Sequence, residues 1–159
     1  MSALTASRNT KQLGVVKAVL DDLDLPQAAT KIIFEGALVV VNASGYCEPA
    51  TQATAKIAAG VAALNPNTGS SNSTGFSNGD LRVRVRQGVF RFNNSAAGVD
   101  LIAQADVGKY CWMVDDQTVA KSSASSARSK AGVIIDVDSA GVWVAVGLQL
   151  NPDMTGAAT

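Results

Sequence analysis

The chain has 159 residues, 13 basic and 13 acidic, and no histidine, so its formal net charge is zero. Neutrality argues against a polybasic binder of nucleic acid or membrane, which needs an excess of lysine and arginine. The missing histidine removes the usual general base and the commonest metal ligand. Only 16% of residues are charged, below the roughly 25% of ordinary soluble domains. That suits a surface partly covered by neighbours and turns the reading from catalysis towards assembly.

Residues 1–30 differ in character from the rest of the chain. The polar start, with Arg8, Lys11 and Lys17, lacks the apolar stretch of a signal peptide. The longest apolar run, residues 36–41, is far too short to span a bilayer, so the protein is expected to be made and folded in a cytoplasm. Val15, Val16, Val19, Leu20, Leu23 and Leu25 are spaced as in a short amphipathic helix that Pro26 would end. Asp21, Asp22 and Asp24 would then crowd the unfavourable end of its dipole. The competing reading is an extended arm, whose 25 residues would reach about 80 Å.

From residue 31 to 150 the punctuation predicts one all-β domain, a small barrel or sandwich, followed by a polar tail over residues 151–159. Ala37-Leu38-Val39-Val40-Val41-Asn42, then Ala43-Ser44-Gly45, then Tyr46-Cys47-Glu48 read as strand, turn and strand, closed by Pro49. Residues 53–64 are alanine-rich, but Gly60 tilts them towards strand. Residues 65–80 form a long polar loop without periodic signal.

Leu81, Val83 and Val85 alternate with Arg82, Arg84 and Arg86, the pattern of a half-buried strand. After Gln87-Gly88 the parity flips, and Phe90 and Phe92 carry the apolar face. A hairpin there would set Arg84 against Arg91, a like-charge pair, so a bulge in one bent strand is the preferred geometry. The last hairpin, turning at Asp138-Ser139-Ala140-Gly141, is expected to pair Val137 with Val142, Ile135 with Val144 and Val133 with Val146.

Chemical motifs are sparse. Cys47 and Cys111 read as reduced, buried thiols, with a disulfide as the alternative and no zinc site. Asp115-Asp116 reads as a turn, since neighbouring carboxylates on a strand face opposite ways. Asp136 and Asp138 share a face, but no cation-loop motif surrounds them. A Ser–Lys dyad through Lys121 or Lys130 would lie in what reads as a solvated loop, and no phosphate-binding glycine motif occurs. No catalytic residue, metal or cofactor is therefore assigned.

Four of the six arginines, Arg82, Arg84, Arg86 and Arg91, lie within ten residues. Such a stripe is either a solvated face or a docking face for carboxylates, with Asp21, Asp22 and Asp24 of a neighbouring copy as candidate partners. Trp143, on the outer side of the last hairpin, is covered either by the domain's own loops or by another subunit. With Arg8 and Lys11 of the arm, these residues make up the candidate interface.

Gly36-Ala37-Leu38-Val39, Ala43-Ser44-Gly45-Tyr46 and Pro49-Ala50, followed by Val83-Arg84-Val85-Arg86-Gln87-Gly88-Val89-Phe90-Arg91-Phe92, resemble small head proteins of tailed phages. So do Ala105-Asp106-Val107-Gly108, Val114-Asp115-Asp116-Gln117-Thr118-Val119 and the stretch from Gly132-Val133 to Gly141-Val142-Trp143-Val144. The family resembled is the capsid decoration, or cement, proteins of phages and prophages with Mu-like head modules. The likeness covers about residues 30 to 147 and rests on turns and strand patterns. It implies a non-enzymatic virion protein, often a homotrimer, seated on the major capsid protein, with an N-terminal arm that reaches neighbouring capsomers. The long loop at residues 65–80 departs from that pattern. It motivates the alternative of a carbohydrate- or receptor-binding β-module on the virion surface, although aromatic residues are only 5%.

Overall fold

Short runs of valine, isoleucine and phenylalanine, each cut by glycine, asparagine or aspartate, fold as strands because β-branched and aromatic side chains fit a pleated, half-buried surface. A computed structural model describes residues 3–10, 22–63, 70–72, 74–96, 98–148 and 150. Lys11, Asp21, the tail at 151–159 and most of the helical reading over 13–25 lie outside the described residues.

The strands are β1 (Leu23–Pro26), β2 (Ile32–Phe34), β3 (Leu38–Val41), β4 (Cys47–Pro49), β5 (Ile57–Ala62), β6 (Ser70–Asn72), β7 (Arg82–Arg86), β8 (Gly88–Asn94), β9 (Tyr110–Met113), β10 (Thr118–Ala120), β11 (Lys130–Asp138) and β12 (Gly141–Val146). Two 3-10 turns, Gly98–Asp100 and Gln104–Asp106, lie between β8 and β9. The all-β expectation holds.

Five strands close a barrel in the order β10-β8-β12-β11-β9, and five more form a sheet in the order β1-β7-β5-β3-β4. A bridge from Gln27, just past β1, to Cys47 on β4 brings the two edges of that sheet towards each other. The barrel holds Phe90, Phe92, Met113, Ile134, Val142, Val144 and Val146, and Leu38, Val40, Ala58 and Val61 of the sheet complete that core. A second core, with Ile33, Val39, Cys47, Ala59, Val83 and Val85, lies on the sheet's other face. Strand β3 is therefore apolar without alternation because it feeds both cores.

Strand β5 does the same through a register shift: Val39 pairs with Gly60, and Val40 with Ala58. Gly60 has φ +147, and a Cβ there would lie 2.2 Å from the carbonyl oxygen of Arg86. The glycine lets β5 and β7 approach where the chain leaves the sheet for the barrel.

Four expectations are corrected. Residues 23–26 are strand β1, paired with β7, and not the end of a helix. The apolar face of an isolated helix has no advantage over a sheet edge that receives Leu23 and Leu25 into the second core. Residues 70–72, inside the supposed loop, form β6 and pair with β2.

The parity flip at Gln87-Gly88 is neither a hairpin nor a bulge within one sheet. The chain passes from the sheet into the barrel, so Val83 and Val85 point to one core and Phe90 and Phe92 to the other. In the last hairpin only the pair Val137–Val142 is as expected. A bulge at Ile135 slips the register, Ile134 pairs with Val144, and Ile135 turns out to solvent. Cys47 and Cys111 are free, buried thiols in different cores, and burial pushes each up to about 12.

Candidate interaction surface

The arginine stripe comes from β7, whose outward residues are forced by the inward Val83 and Val85. Strand β1 lies antiparallel beside it, with Asp24 opposite Arg84. Arg82 Nε donates to Asp24 Oδ2 at 2.7 Å, and Arg84 Nε lies 3.9 Å from Asp22. The acids expected from a neighbouring copy are thus supplied by the same chain. These exposed pairs add little stability, but they offset the charges of Arg82 and Arg84.

The other two arginines are occupied by rings. Arg86 lies over Phe90 at 5.6 Å and Arg91 over Trp143 at 5.8 Å. Trp143, half-buried, donates its Nε1–H to Asp138 at 2.7 Å. That bond and the turn amides of Ala140 and Gly141 hold Asp138 below the usual carboxylate range. The structure therefore splits the stripe: two arginines serve β1, and two serve aromatic packing.

Arg8 lies apart from the stripe's ion pairs, in a segment (residues 3–10) strapped across the seam between sheet and barrel. Its Nη1 donates to Gln117, its Nη2 to the carbonyl of Arg91, and its backbone N–H to Glu35 O at 2.8 Å. The hydroxyl of Thr10 donates to Gly36 O, and Leu4 N–H donates to Asp116 Oδ1 at 2.7 Å. Burial lowers the Arg8 pKa and raises that of Asp116. Asp115-Asp116 forms the turn expected of it: Asp115 Oδ1 accepts from Gln117 N–H, and Val114 N–H donates to Thr118 O.

A feature the sequence reading missed lies at the barrel end built from residues 98–110. Of seven large apolar side chains exposed among the described residues, Val99, Leu101, Val107 and Tyr110 come from this stretch, and Ile135 from the strand beside it. Val99 is 81% exposed and Leu101 50%.

The backbone beneath them is clamped. Asn94 brackets Ile102 with two hydrogen bonds of 2.7 and 3.0 Å. Asp100 accepts a hydrogen bond from the Ser122 hydroxyl and a 2.9 Å ion pair from the half-buried Arg128, and these lower its pKa. Asp106 accepts from the Ala103 N–H and from Lys109 and Lys121 at 3.0 and 3.1 Å, which holds it down at about 2.

Gly108 N–H donates to Ile134 O and Ile134 N–H to Lys109 O, extending the β9–β11 ladder until Ile135 lies beside Val107 and Gly108. Lys121 joins both 3-10 turns, its N–H on Asp100 O and its ammonium on Asp106.

No family model, curated protein or solved structure matches this chain. Among the described residues there is no group of three or more His, Cys, Asp or Glu that could hold a metal ion, and no helix long and apolar enough to cross a membrane. Among the described residues, the geometry offers a braced backbone that holds Val99 and Leu101 in water. The signal for that end in the sequence was Gly98-Val99-Asp100-Leu101, apolar residues in a segment with no strand period.

Proposed function

We propose that the chain is a capsid decoration protein: a structural virion protein that binds the outer surface of an assembled tailed-phage head, as a homotrimer, and braces the shell without catalysing a reaction. The reading is supported by the resemblance over residues 30 to 147. The observation that carries it is the apolar end. Unpaired loops normally hide apolar side chains or move; here an ion pair and the side-chain bonds of Asn94 fix the backbone while Val99 and Leu101 stay in water. A patch on a rigid support is suited to binding a macromolecule, since little ordering entropy is lost on contact.

The test is direct. Purified protein is mixed with undecorated heads of the phage that encodes it, pelleted, and imaged by electron microscopy, with light scattering for its mass in solution. Saturable coating of the heads by a trimer is the expected result. A monomer that leaves the heads bare at micromolar concentration would reject the reading.

A further inference from the structure

The apolar end has a definite electrostatic character. The acids of residues 98–110 lie underneath and the bases outside: the Asp106 side chain is 2% exposed, whereas those of Lys109 and Lys121 are 63% and 49% exposed. Asp100 is likewise buried against Arg128. Lys130 lies with its ammonium 4.6 Å from the ring centre of Tyr110, the last residue of the same stretch. A visitor to this end therefore meets exposed Val99, Leu101, Val107 and Ile135 and the ammonium groups of Lys109 and Lys121, with Lys130 beside Tyr110. Two carboxylates beneath them are already committed to the fold.

Exposed apolar side chains on a fixed backbone are the usual material of an interface centre. The charge of this end selects the occupant. The same end of a second copy would bring lysine against lysine, a like-charge contact that disfavours two-fold pairing.

We propose that this end is the face applied to the shell, and that it docks on a patch of the capsid subunit with an apolar centre and carboxylates around it. The inference rests on the decoration reading and adds which side of the molecule faces the shell and what chemistry receives it. Val99 and Leu101 supply the desolvated centre, and Lys109, Lys121 and Lys130 supply register and association rate. Arg82 and Arg84, which face Asp24 and Asp22 of their own chain, stay on the outside.

Head-binding assays with three variants test this. Val99→Ser with Leu101→Ser should weaken binding at least tenfold. Lys109→Gln with Lys130→Gln leaves Lys121 on Asp106, so the clamp survives; binding should weaken about threefold to tenfold and lose much of its salt dependence. Arg84→Gln should bind as the parent does. Melting curves confirm that each variant is folded.

If the parent coats heads and both patch variants coat them equally well, the face is wrong while the decoration reading stands. Loss of binding in Arg84→Gln alone would move the contact to the stripe and overturn the proposal. Conversion of an oligomer to monomers by Val99→Ser with Leu101→Ser would make the end a contact between copies, also overturning it. A parent that leaves heads bare defeats both readings at once.

Discussion

Asp116 is a carboxylate held where it is poorly solvated. Burial is the leading cause of its raised pKa, the neighbouring Asp115 adds to it, and the Leu4 N–H and the charge of Arg8 only partly offset it. A raised carboxylate pKa means that the folded state favours the neutral form, so ionisation of this group works against folding. Asp116→Asn keeps an oxygen for the Leu4 N–H and removes the buried charge. Its melting temperature should match or exceed the parent's at pH 7. The difference should be full above the raised pKa and vanish below the ordinary aspartate value of about 3.9, where both side chains are neutral. Melts from pH 3 to pH 8 check this, and a variant less stable at pH 7 than the parent would contradict it. The turn role of Asp115-Asp116 was legible in the sequence because aspartate favours turns. Their burial was not, because it depends on a strap more than a hundred residues away.

At the scale of elements, the strap over residues 3–10 depends on a notch at Gly36. Its φ is +83, and a Cβ would lie 2.1 Å from the carbonyl oxygen of Arg8. Gly36→Ala therefore strains its own backbone by about 1–2 kcal/mol and displaces the strap as well. Hydrogen exchange should rise across residues 3–10 and stay low in β8 and β12, the barrel interior. Arg8→Ala should raise exchange over the same residues with a smaller loss of stability; unchanged exchange there in both variants would reject the strap. Alternation was enough to place β7, β8 and β12, since one face of each is buried. It misplaced half of β11, because a bulge is a tertiary accommodation: Ile135 had the right hydrophobicity for the core and lost the place to Ile134. The cis pairing of Arg82 with Asp24 was hidden for a related reason. Placed at a helix end or on an extended arm, the acids carry no sign in the sequence of a strand beside β7.

For the whole molecule, the question is whether barrel and sheet are two units or one. They share material: β3 and β5 place side chains in both cores, and β7 runs into β8 across Gln87 without a linker. The strap crosses the same seam, and Leu38 N–H donates to Asp116 O at 2.7 Å from sheet to barrel turn. Loss of the barrel would expose Leu38, Val40 and Val61 of the sheet, and loss of the sheet would strip them from the barrel's core, so unfolding is expected to be one cooperative step. Val85→Ala in the second core should cost about 2 kcal/mol, and Phe92→Ala in the barrel about 4 kcal/mol. Those losses correspond to drops of roughly 6 °C and 12 °C in a chain of this length. Calorimetry should show a single endotherm for the parent and both variants, displaced as a whole each time. Two endotherms, one answering to Val85→Ala and the other to Phe92→Ala, would mean that the sheet folds apart from the barrel. The rigid support argued for the apolar end would then extend no further than the barrel itself.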